Sequence, residues 1–378
     1  MLRGVEFKDD KDFGGCSIFG VMNVAGELFT GERLITAIAN MRGRSNGLGG
    51  GFAAHGIYPD YADLFAFHMM YDDEAAREEA EAYLADCFII GQAEVIPTRP
   101  VNAIGDAPLL WRYFLEPRED ALADDEVGDF VVRAVMRINA SIDGAFVFSS
   151  GKDMGVFKGV GYPEDIGRFF RLDEYEGYTW VAHGRFPTNT QGWWGGAHPF
   201  NILDWSVVHN GEISSYGINR RYLEMYGYDC SLQTDTEVLA YAVDLLVRRH
   251  GLGIDEMAAV LAPPLWEEIE RMKGPRRTLL TALRQTYASL LMNGPFSIIV
   301  TNRNQMIGLT DRIRLRPLVA GENGAMKYMS SEEAPMHLVD DGISYTWTPR
   351  GGAPILFERE PEAPLPVQRH PMKEVVRA

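Results

Sequence analysis

Apolar residues along the chain recur at two spacings, one typical of strands and one typical of helices. Apolar, β-prone runs bounded by glycine or polar residues predict strands at 17–24, 52–57, 64–71, 180–185 and 206–209. Apolar residues three and four positions apart predict amphipathic helices. One contains Leu34, Ile35, Ile38 and Met41, and the others cover 72–87, 127–142, 234–251 and 275–293.

In two places only a few residues separate one short predicted strand from the next, and this spacing predicts a β-hairpin in each place. The first joins 145–150 to 155–160 through a turn at 151–153, and the second joins 296–301 to 306–309. Hairpins that alternate with amphipathic helices indicate an α+β protein with two stacked, largely antiparallel sheets covered by helices. Composition and periodicity alone do not separate this arrangement from other α+β folds.

The overall composition limits the class of protein. The chain has 378 residues, of which 46% are hydrophobic and 24% charged, as in an ordinary globular protein with one large domain or two modest ones. Its net charge of −17 argues against a nucleic-acid backbone or an anionic membrane as partner, and solubility alone explains that charge. No apolar run approaches the roughly 20 residues that span a bilayer. The N-terminus lacks a hydrophobic signal core, so we expect a cytoplasmic protein.

The cysteines and histidines predict no metal site. The three cysteines, Cys16, Cys87 and Cys230, are too few for a disulfide framework, and no Cys-x-x-Cys pair suggests zinc or an iron–sulfur cluster. One of them could be a nucleophile, and the others would then be packing residues. Three histidines lack metal-ligand spacing and are interpreted as core or loop residues: His183, His198 and His209.

Four short motifs occur together in the order typical of one enzyme family. They are Gly-Gly-Cys-Ser-Ile-Phe-Gly at 14–20, His-Gly-Arg-Phe-Pro-Thr-Asn at 183–189, His-Asn-Gly-Glu-Ile at 209–213 and Thr-Asp-Thr-Glu-Val at 234–238. With these motifs the chain resembles the class II glutamine amidotransferases, and within them the glutaminase portion of glutamate synthase. The resemblance covers the chain from Cys16 to Val238 and extends more loosely to Phe357.

The resemblance implies a fold and a domain organisation. The expected fold is a four-layer αββα sandwich of the N-terminal-nucleophile (Ntn) hydrolase type, with mostly antiparallel sheets. Residues 1–15 would be a propeptide or N-terminal extension, 16–357 the amidotransferase domain and 358–378 a C-terminal tail.

Cys16 is the candidate nucleophile. A cysteine at the start of a strand could equally be a small buried apolar residue, but the two preceding glycines allow close approach to the backbone. In the family the matching cysteine is the first residue of the mature chain, and its α-amino group is the general base. Fifteen residues precede Cys16, so this mechanism requires cleavage between Gly15 and Cys16.

Three further residues are candidates for binding the substrate. The resemblance implies that Arg185 binds the α-carboxylate of glutamine, that Thr188 adds a hydroxyl contact and that Asp235 accepts the α-ammonium. Taken singly, Arg185 could form a surface salt bridge, and Asp235 could merely complement the dipole of the helix that Thr234 caps. Together the two charges would recognise the zwitterion of an α-amino acid.

Asn210 and Gly211 are the candidate oxyanion hole. Asn-Gly is also a common turn dipeptide, so a turn is the alternative. The resemblance implies that the Asn210 side-chain amide and the Gly211 N–H stabilise the negative oxygen that forms during attack by the thiol.

The remaining predictions concern partners. Neither the run at 47–51 nor that at 339–343 forms a convincing dinucleotide or phosphoribosyl site, so we expect a glutaminase that supplies ammonia to another subunit. The resemblance implies a flavin-dependent, glutamate synthase-type partner, with FMN and an iron–sulfur centre only on that partner. The loop with Trp193 and Trp194 is either a gate or core packing. A different Ntn amidohydrolase and a non-catalytic regulatory subunit remain alternatives.

Overall fold

The computed structural model describes residues 15–122, 126–187 and 192–359. The strands are β1 (Ser17–Asn23), β2 (Phe29–Thr30), β3 (Gly50–His55), β4 (Phe65–Tyr71), β5 (Phe88–Val95), β6 (Leu109–Pro117), β7 (Ala145–Ser149), β8 (Met154–Gly159), β9 (Glu176–Gly177), β10 (Thr179–Gly184), β11 (Phe200–Ile202), β12 (Trp205–Gly211), β13 (Phe296–Thr301), β14 (Gln305–Thr310), β15 (Val319–Asn323), β16 (Met326–Ser330), β17 (Tyr345–Trp347) and β18 (Ile355–Glu358). The α-helices are α1 (Glu32–Asn40), α2 (Glu74–Cys87), α3 (Glu119–Leu122), α4 (Val127–Ser141), α5 (Pro163–Phe169), α6 (Tyr216–Glu224), α7 (Asp235–Val243), α8 (Ile254–Leu261), α9 (Trp266–Arg271), α10 (Gly274–Thr286) and α11 (Ala334–Val339).

Two antiparallel sheets lie face to face. One has the strand order β17-β15-β16-β1-β10-β3-β8 and the other the order β11-β12-β13-β14-β18. Strands β1 and β10 of the first sheet pack against β12 and β13 of the second. Helices α1, α5 and α11 contact the first sheet, and α7 contacts the second. These layers confirm the predicted αββα sandwich.

Strand β1, which begins directly after Cys16, lies in the middle of this sandwich. All seven of its residues are buried, because the other sheet covers one face and helix α1 the other. The two sheets approach closely at Gly20, since a Cβ atom there would lie 2.9 Å from the Met306 sulfur. A continuous apolar run in the sequence is therefore the expected signature of this strand.

The predicted hairpin over 145–160 is wrong. Strand β7 pairs with β4 in a separate four-stranded sheet, β5-β6-β4-β7, whereas β8 pairs with β3 in the seven-stranded sheet. Residues of the β11–β12 hairpin bind the connecting segment: the Ser150 amide donates to Asn201 Oδ1 and the Lys152 amide to Asp204 Oδ1, each at 2.8 Å. The chain thus crosses from one sheet to another where sequence spacing alone favours a turn.

The other predicted elements are largely confirmed. Strands β13 and β14 form the second predicted hairpin, with Thr301 opposite Met306. Helix α10 ends at Thr286 instead of 293, because a 3-10 turn at Ala288–Leu290 follows it. Within the described ranges no helix combines the length and apolar character needed to cross a bilayer.

Candidate active site

The pairing of β1 with β10 places Cys16 beside Arg185. Ser17 lies opposite Gly184 in this ladder, so the residue before β1 faces the residue after β10. The Phe186 amide donates a hydrogen bond to Cys16 Sγ over 3.4 Å. On the other side, Arg44 Nε donates to the Cys16 carbonyl oxygen over 3.2 Å. The backbone of both strands therefore fixes the position of the sulfur.

Burial affects the protonation of the Cys16 thiol. It raises the pKa of the thiol above its usual value, while the Phe186 amide and the nearby Arg185 and Arg316 guanidinium groups act in the opposite direction. The net effect is a raised pKa, so the resting thiol is protonated at neutral pH. Any nucleophilic role for Cys16 requires a base that removes this proton.

A loop between α1 and β3 holds the buried Arg185 in place. The Arg185 amide donates to the Gly49 carbonyl at 2.9 Å, and the Arg185 carbonyl accepts from the Asn46 amide and the Ser45 hydroxyl. A Cβ atom at Gly49 would lie 3.0 Å from Arg185 Cδ, so glycine there leaves room for the arginine side chain. Burial lowers the pKa of Arg185, and the proximity of Cys16 and Asp235 opposes that shift.

Gly211 ends strand β12 in a conformation that only glycine adopts readily. Its φ is +149°, and a Cβ atom would lie 2.0 Å from the Pro295 carbonyl oxygen. The preceding Asn210 is fully buried, and its Nδ2 donates to Ser331 Oγ at 3.3 Å. Ser331 Oγ also accepts from the Ile18 amide at 3.1 Å, so a hydrogen-bond chain joins β12 to the strand that follows Cys16.

Asp235 is the first residue of helix α7. Thr234 caps this helix by accepting from the Glu237 amide, as the sequence predicts, but the Glu237 carboxylate binds the Leu232 amide and does not return to the cap. Asp235 Oδ2 accepts from the Ile213 amide at 2.9 Å.

The carboxyl group of Asp235 is ionised in this setting. Burial by itself would raise its pKa, but nearby His209 and hydrogen bonds from the Ile213 amide and the Thr236 hydroxyl outweigh burial and lower the pKa. His209 Nδ1 lies 3.6 Å from Asp235 Oδ1.

A cavity of about 190 Å³ brings Cys16, Arg185, Gly211 and Asp235 together. Its other lining residues are Phe186, Pro187, His198, His209, Glu212, Ile213, Tyr216, Gln233 and Thr234. Asn210 adjoins this lining without being part of it. Thr188 lies outside the described residues. The cavity thus holds a thiol, a cation and an anion, and this combination of groups suits a small zwitterion.

Three buried histidines lie at this cavity: His198 and His209 line it, and His183 adjoins His198. The rings of His183 and His198 stack with their centroids 4.0 Å apart, and the Thr236 hydroxyl bonds to both His198 Nε2 and His209 Nδ1. Burial lowers the pKa of His183 to about 3, so this ring is neutral. Within the described ranges no cluster of three or more side chains could hold a metal ion. The histidines are core residues that support Asp235 and the cavity wall.

Two charged residues near Cys16 were not predicted from the sequence. Glu212 lines the cavity, and burial together with the neighbouring Asp235 raises its pKa. Arg316, from the segment between β14 and β15, is close enough to Cys16 to influence the thiol. Glu212 is adjacent to the Asn-Gly motif and could have been suspected. Arg316 follows Cys16 by 300 residues, and no local pattern in the sequence indicates its position.

Trp193 and Trp194 differ in their surroundings. Trp194 is buried, and its ring contacts Phe169 and Phe170 edge-on. Trp193 is 37% exposed and contacts the ring of Phe146. Trp194 therefore packs in the core. Trp193 is the more exposed of the two and stays the candidate for a gate.

Comparison with known proteins identifies the family. Residues 65–358 match the family model of the class-II glutamine amidotransferases. An uncharacterized protein of Archaeoglobus fulgidus is 53% identical over 354 residues, which cover 92% of this chain and 93% of that protein. A glutamine–fructose-6-phosphate aminotransferase (isomerizing) of Vibrio vulnificus is 26% identical over 220 residues, 56% of this chain and 33% of the relative.

Solved structures were compared as well. The glutamine phosphoribosylpyrophosphate amidotransferase of B. subtilis aligns with 91% of this chain at 15% identity and a TM-score of 0.46, and the alignment covers 47% of that protein. This chain therefore spans about a third of the Vibrio relative and about half of the Bacillus protein. Because the family model covers most of the chain, the protein belongs to the class II glutamine amidotransferases.

Proposed function

We propose that this chain hydrolyses glutamine to glutamate and ammonia through a thioester on Cys16. The observation that carries the proposal is the shared cavity, in which the thiol lies with Arg185, Asp235 and the Gly211 backbone. A partly buried thiol that shares a cavity with two opposite charges fits an α-amino acid whose side chain must reach the sulfur. Family membership supports glutamine as that amino acid.

The two charges would bind the ends of glutamine that do not react. Arg185 can bind both oxygens of the α-carboxylate through its planar guanidinium group. Asp235, whose lowered pKa keeps it ionised, would accept the α-ammonium group. The Thr188 hydroxyl would add a contact next to the carboxylate. With both ends held, the side-chain amide points to Cys16.

The α-amino group of Cys16 would be the base. The raised pKa of the thiol means that a proton has to be removed before attack. Once the Gly15–Cys16 peptide bond is cut, the free amine lies on the same residue and can accept that proton. Cleavage would release residues 1–15 and leave Cys16 as the first residue of the mature chain.

The reaction then follows the steps of acyl transfer. The thiolate attacks the side-chain carbonyl carbon of glutamine, and the Asn210 amide and the Gly211 N–H stabilise the negative oxygen. The amine returns its proton to the leaving nitrogen, the C–N bond breaks and ammonia departs, leaving a glutamyl thioester. Water, deprotonated by the same amine, hydrolyses the thioester and restores the Cys16 thiol.

The ammonia would be used by a separate partner. We propose a flavin-dependent, glutamate synthase-type subunit that carries FMN and an iron–sulfur centre, since the Arg-Phe-Pro-Thr-Asn-Thr run at 185–190 resembles glutamate synthase. The chain matches only a third of an aminotransferase relative. A glutaminase domain that supplies ammonia to a separate protein would match only part of such a relative.

Glutamine hydrolysis and the N-terminus can be tested on the same purified protein. Glutamate release is measured by an enzyme-coupled assay, and the N-terminus is identified by intact-mass analysis and Edman sequencing. We expect glutaminase activity from chains that begin at Cys16. Hydrolysis of other amides without hydrolysis of glutamine would indicate a different amidohydrolase. Absence of both activities in correctly cut protein would indicate a non-catalytic subunit.

A further inference from the structure

Two guanidinium groups lie close to Gly15, the residue that precedes Cys16. A Cβ atom on the buried Gly15 would lie 3.3 Å from Arg316 Nη1 and 3.4 Å from Arg44 Nη2. Gly15 is joined to the backbone nitrogen of Cys16, which becomes the α-amine after cleavage. The free amine would therefore form next to two positive charges.

The two arginines differ in how their charge is balanced. Arg44 Nη1 forms an ion pair with Glu332 at 2.9 Å, while its Nε binds the Cys16 carbonyl. Arg316 takes part in no ion pair with any described residue, and its buried Nε has no hydrogen-bond partner among them. The positive charge of Arg316 is therefore the less compensated of the two.

The segment that carries Arg316 is held rigidly. The buried Asp311 carboxylate accepts hydrogen bonds from the backbone amides of Phe296, Ile313 and Leu315. These bonds fix the turn between β14 and β15 immediately before Arg316. The backbone from which the Arg316 side chain extends is thus held in place, and the guanidinium is close enough to Glu212 to oppose the upward shift of that residue's pKa.

We propose that Arg316 is a positioning residue that keeps the α-amine of Cys16 unprotonated at neutral pH. The inference rests on the proposed function, because it requires the cleaved chain. An α-amine ordinarily has a pKa of about 7.7–8.0 and would be mostly protonated, hence inactive as a base, at pH 7. A neighbouring cation disfavours the ammonium form and increases the fraction of amine that can accept the thiol proton.

Other charged groups also face Cys16 and must be counted. Arg185 adds a second cation from the end of β10, whereas Asp235 at the start of α7 has the opposite effect. Other titratable groups on the described surrounding elements are Arg44, Glu332, Glu212, Tyr216, His183, His198 and His209. In the free enzyme Arg185 and Asp235 act on Cys16 in opposite directions, and Arg44 is already paired with Glu332. Arg316 therefore remains the cation available to act on the amine.

The pH profile of kcat/KM tests this role, because it reports the free enzyme's base. The full chain is compared with Arg316→Gln, and Arg314→Gln is the matched control. Arg314 lies in the same segment but binds Thr348 and Pro349, away from Cys16. Removal of the cation raises the pKa of the amine, so the rising limb of the Arg316→Gln profile should move up by about one pH unit. The value of kcat/KM at pH 6.5 should fall about fivefold and recover at pH 9.

The control and the rescue have equally definite outcomes. The Arg314→Gln profile should superimpose on that of the unsubstituted chain. Arg316→Lys keeps the positive charge, so the rising limb of its profile should lie close to that of the unsubstituted chain. A uniform loss in Arg316→Gln at every pH would assign Arg316 to substrate binding and overturn the inference. An unchanged profile, or a variant that is no longer cleaved at Cys16, would also overturn it. Failure of the unsubstituted chain to be cleaved or to hydrolyse glutamine would instead reject the proposed function.

Discussion

The backbone amide of Phe186 donates its hydrogen bond to the sulfur of Cys16, 3.4 Å away. Phe186 follows Arg185 directly, so one turn after β10 fixes both the sulfur and the guanidinium that would bind the substrate. This contact depends on the β1–β10 register, in which Ser17 lies opposite Gly184. A shift by one residue would turn the side chains to the other face of the sheet and separate the two groups.

Only one of the three cysteines should matter for catalysis. Cys16 lines the cavity, whereas Cys230 is buried in the core and Cys87 is half-buried at the end of α2. Cys16→Ala should lower the glutaminase rate by at least about 1000-fold, since no nucleophile remains. Cys87→Ala and Cys230→Ala should keep kcat within about threefold. Glutamate release by the three variants, with circular dichroism to confirm folding, is the measurement. Substantial activity in Cys16→Ala would reject the thioester mechanism.

Asp235→Asn should weaken glutamine binding with little effect on folding. The introduced amide can still accept from the Ile213 N–H through its oxygen, but it lacks the charge that would pair with the substrate ammonium. A hydrogen bond to a charged group contributes about 1.5–3 kcal/mol, so KM should rise about 10- to 100-fold. Steady-state kinetics and the melting temperature are measured together. An unchanged KM would leave Asp235 only the role of complementing the dipole of α7.

The sequence predicted the catalytic candidates that lie in short motifs. Cys16, Arg185, Gly211 and Asp235 each stand in a local pattern, and the structure places all four in one cavity. The contribution of Arg316 could not be predicted, because a loop far along the chain reaches Cys16 only through the tertiary fold. The Asn210 contact with Ser331 is equally nonlocal, since it joins two different sheets.

The same reasoning explains where fold prediction failed. Strand positions follow from apolar runs, and β1, β10 and β12 lie close to where the sequence put them. The partner of a strand, however, depends on contacts between distant parts of the chain. Strands β7 and β8 have hairpin spacing yet belong to different sheets, because Asn201 and Asp204 of another hairpin bind the segment between them.

Gly211→Ala should disrupt the site sterically. The new Cβ would lie 2.0 Å from the Pro295 carbonyl oxygen at a φ of +149°, so the backbone would have to move. We expect glutaminase activity to fall at least about 100-fold, the typical effect of losing one oxyanion donor. Gly217→Ala is the matched control, because a Cβ there meets no atom within 4 Å and alanine favours helix α6. Normal activity in Gly211→Ala would exclude this backbone from the oxyanion hole.

Lys158 should make stability depend on pH. Burial lowers the pKa of Lys158 to about 7, and the nearby Glu237 opposes that shift. The unfolded lysine has a pKa of about 10.4, so between about pH 7 and 10 the unfolded state binds more protons and stability rises with pH. The slope is at most about 1.4 kcal/mol per pH unit.

The comparison of Lys158→Met with the unsubstituted chain isolates this effect. Urea unfolding at pH 7, 8 and 9 should show the unsubstituted chain gaining stability relative to Lys158→Met as the pH rises. Lys273→Met, at an exposed position, keeps Lys158. The stability difference between the unsubstituted chain and Lys273→Met should therefore not change with pH. A constant difference between the two proteins across this range would mean that Lys158 titrates alike in the folded and unfolded states.

Ammonia from this chain should pass to the partner subunit without mixing with the solution. Free ammonia is rapidly protonated at neutral pH, and ammonium is a poor nucleophile, so a sheltered route would increase transfer. The half-exposed Trp193 lies next to glycines at 192, 195 and 196, and this segment could close over bound glutamine and exclude water. We expect slow glutamine hydrolysis by the isolated chain and faster hydrolysis when a synthase partner and its acceptor are present.

An isotope experiment follows the route of this ammonia. The measurement supplies amide-¹⁵N glutamine with excess unlabelled ammonium and follows the label into the product. Retention of the label in the product would support direct transfer, because only a sheltered route keeps the label apart from the bulk ammonium. Trp193→Ala should then lose the label to the bulk while it hydrolyses glutamine at an unchanged rate. Complete dilution of the label, with equal hydrolysis rates with and without the partner, would show a free-standing glutaminase.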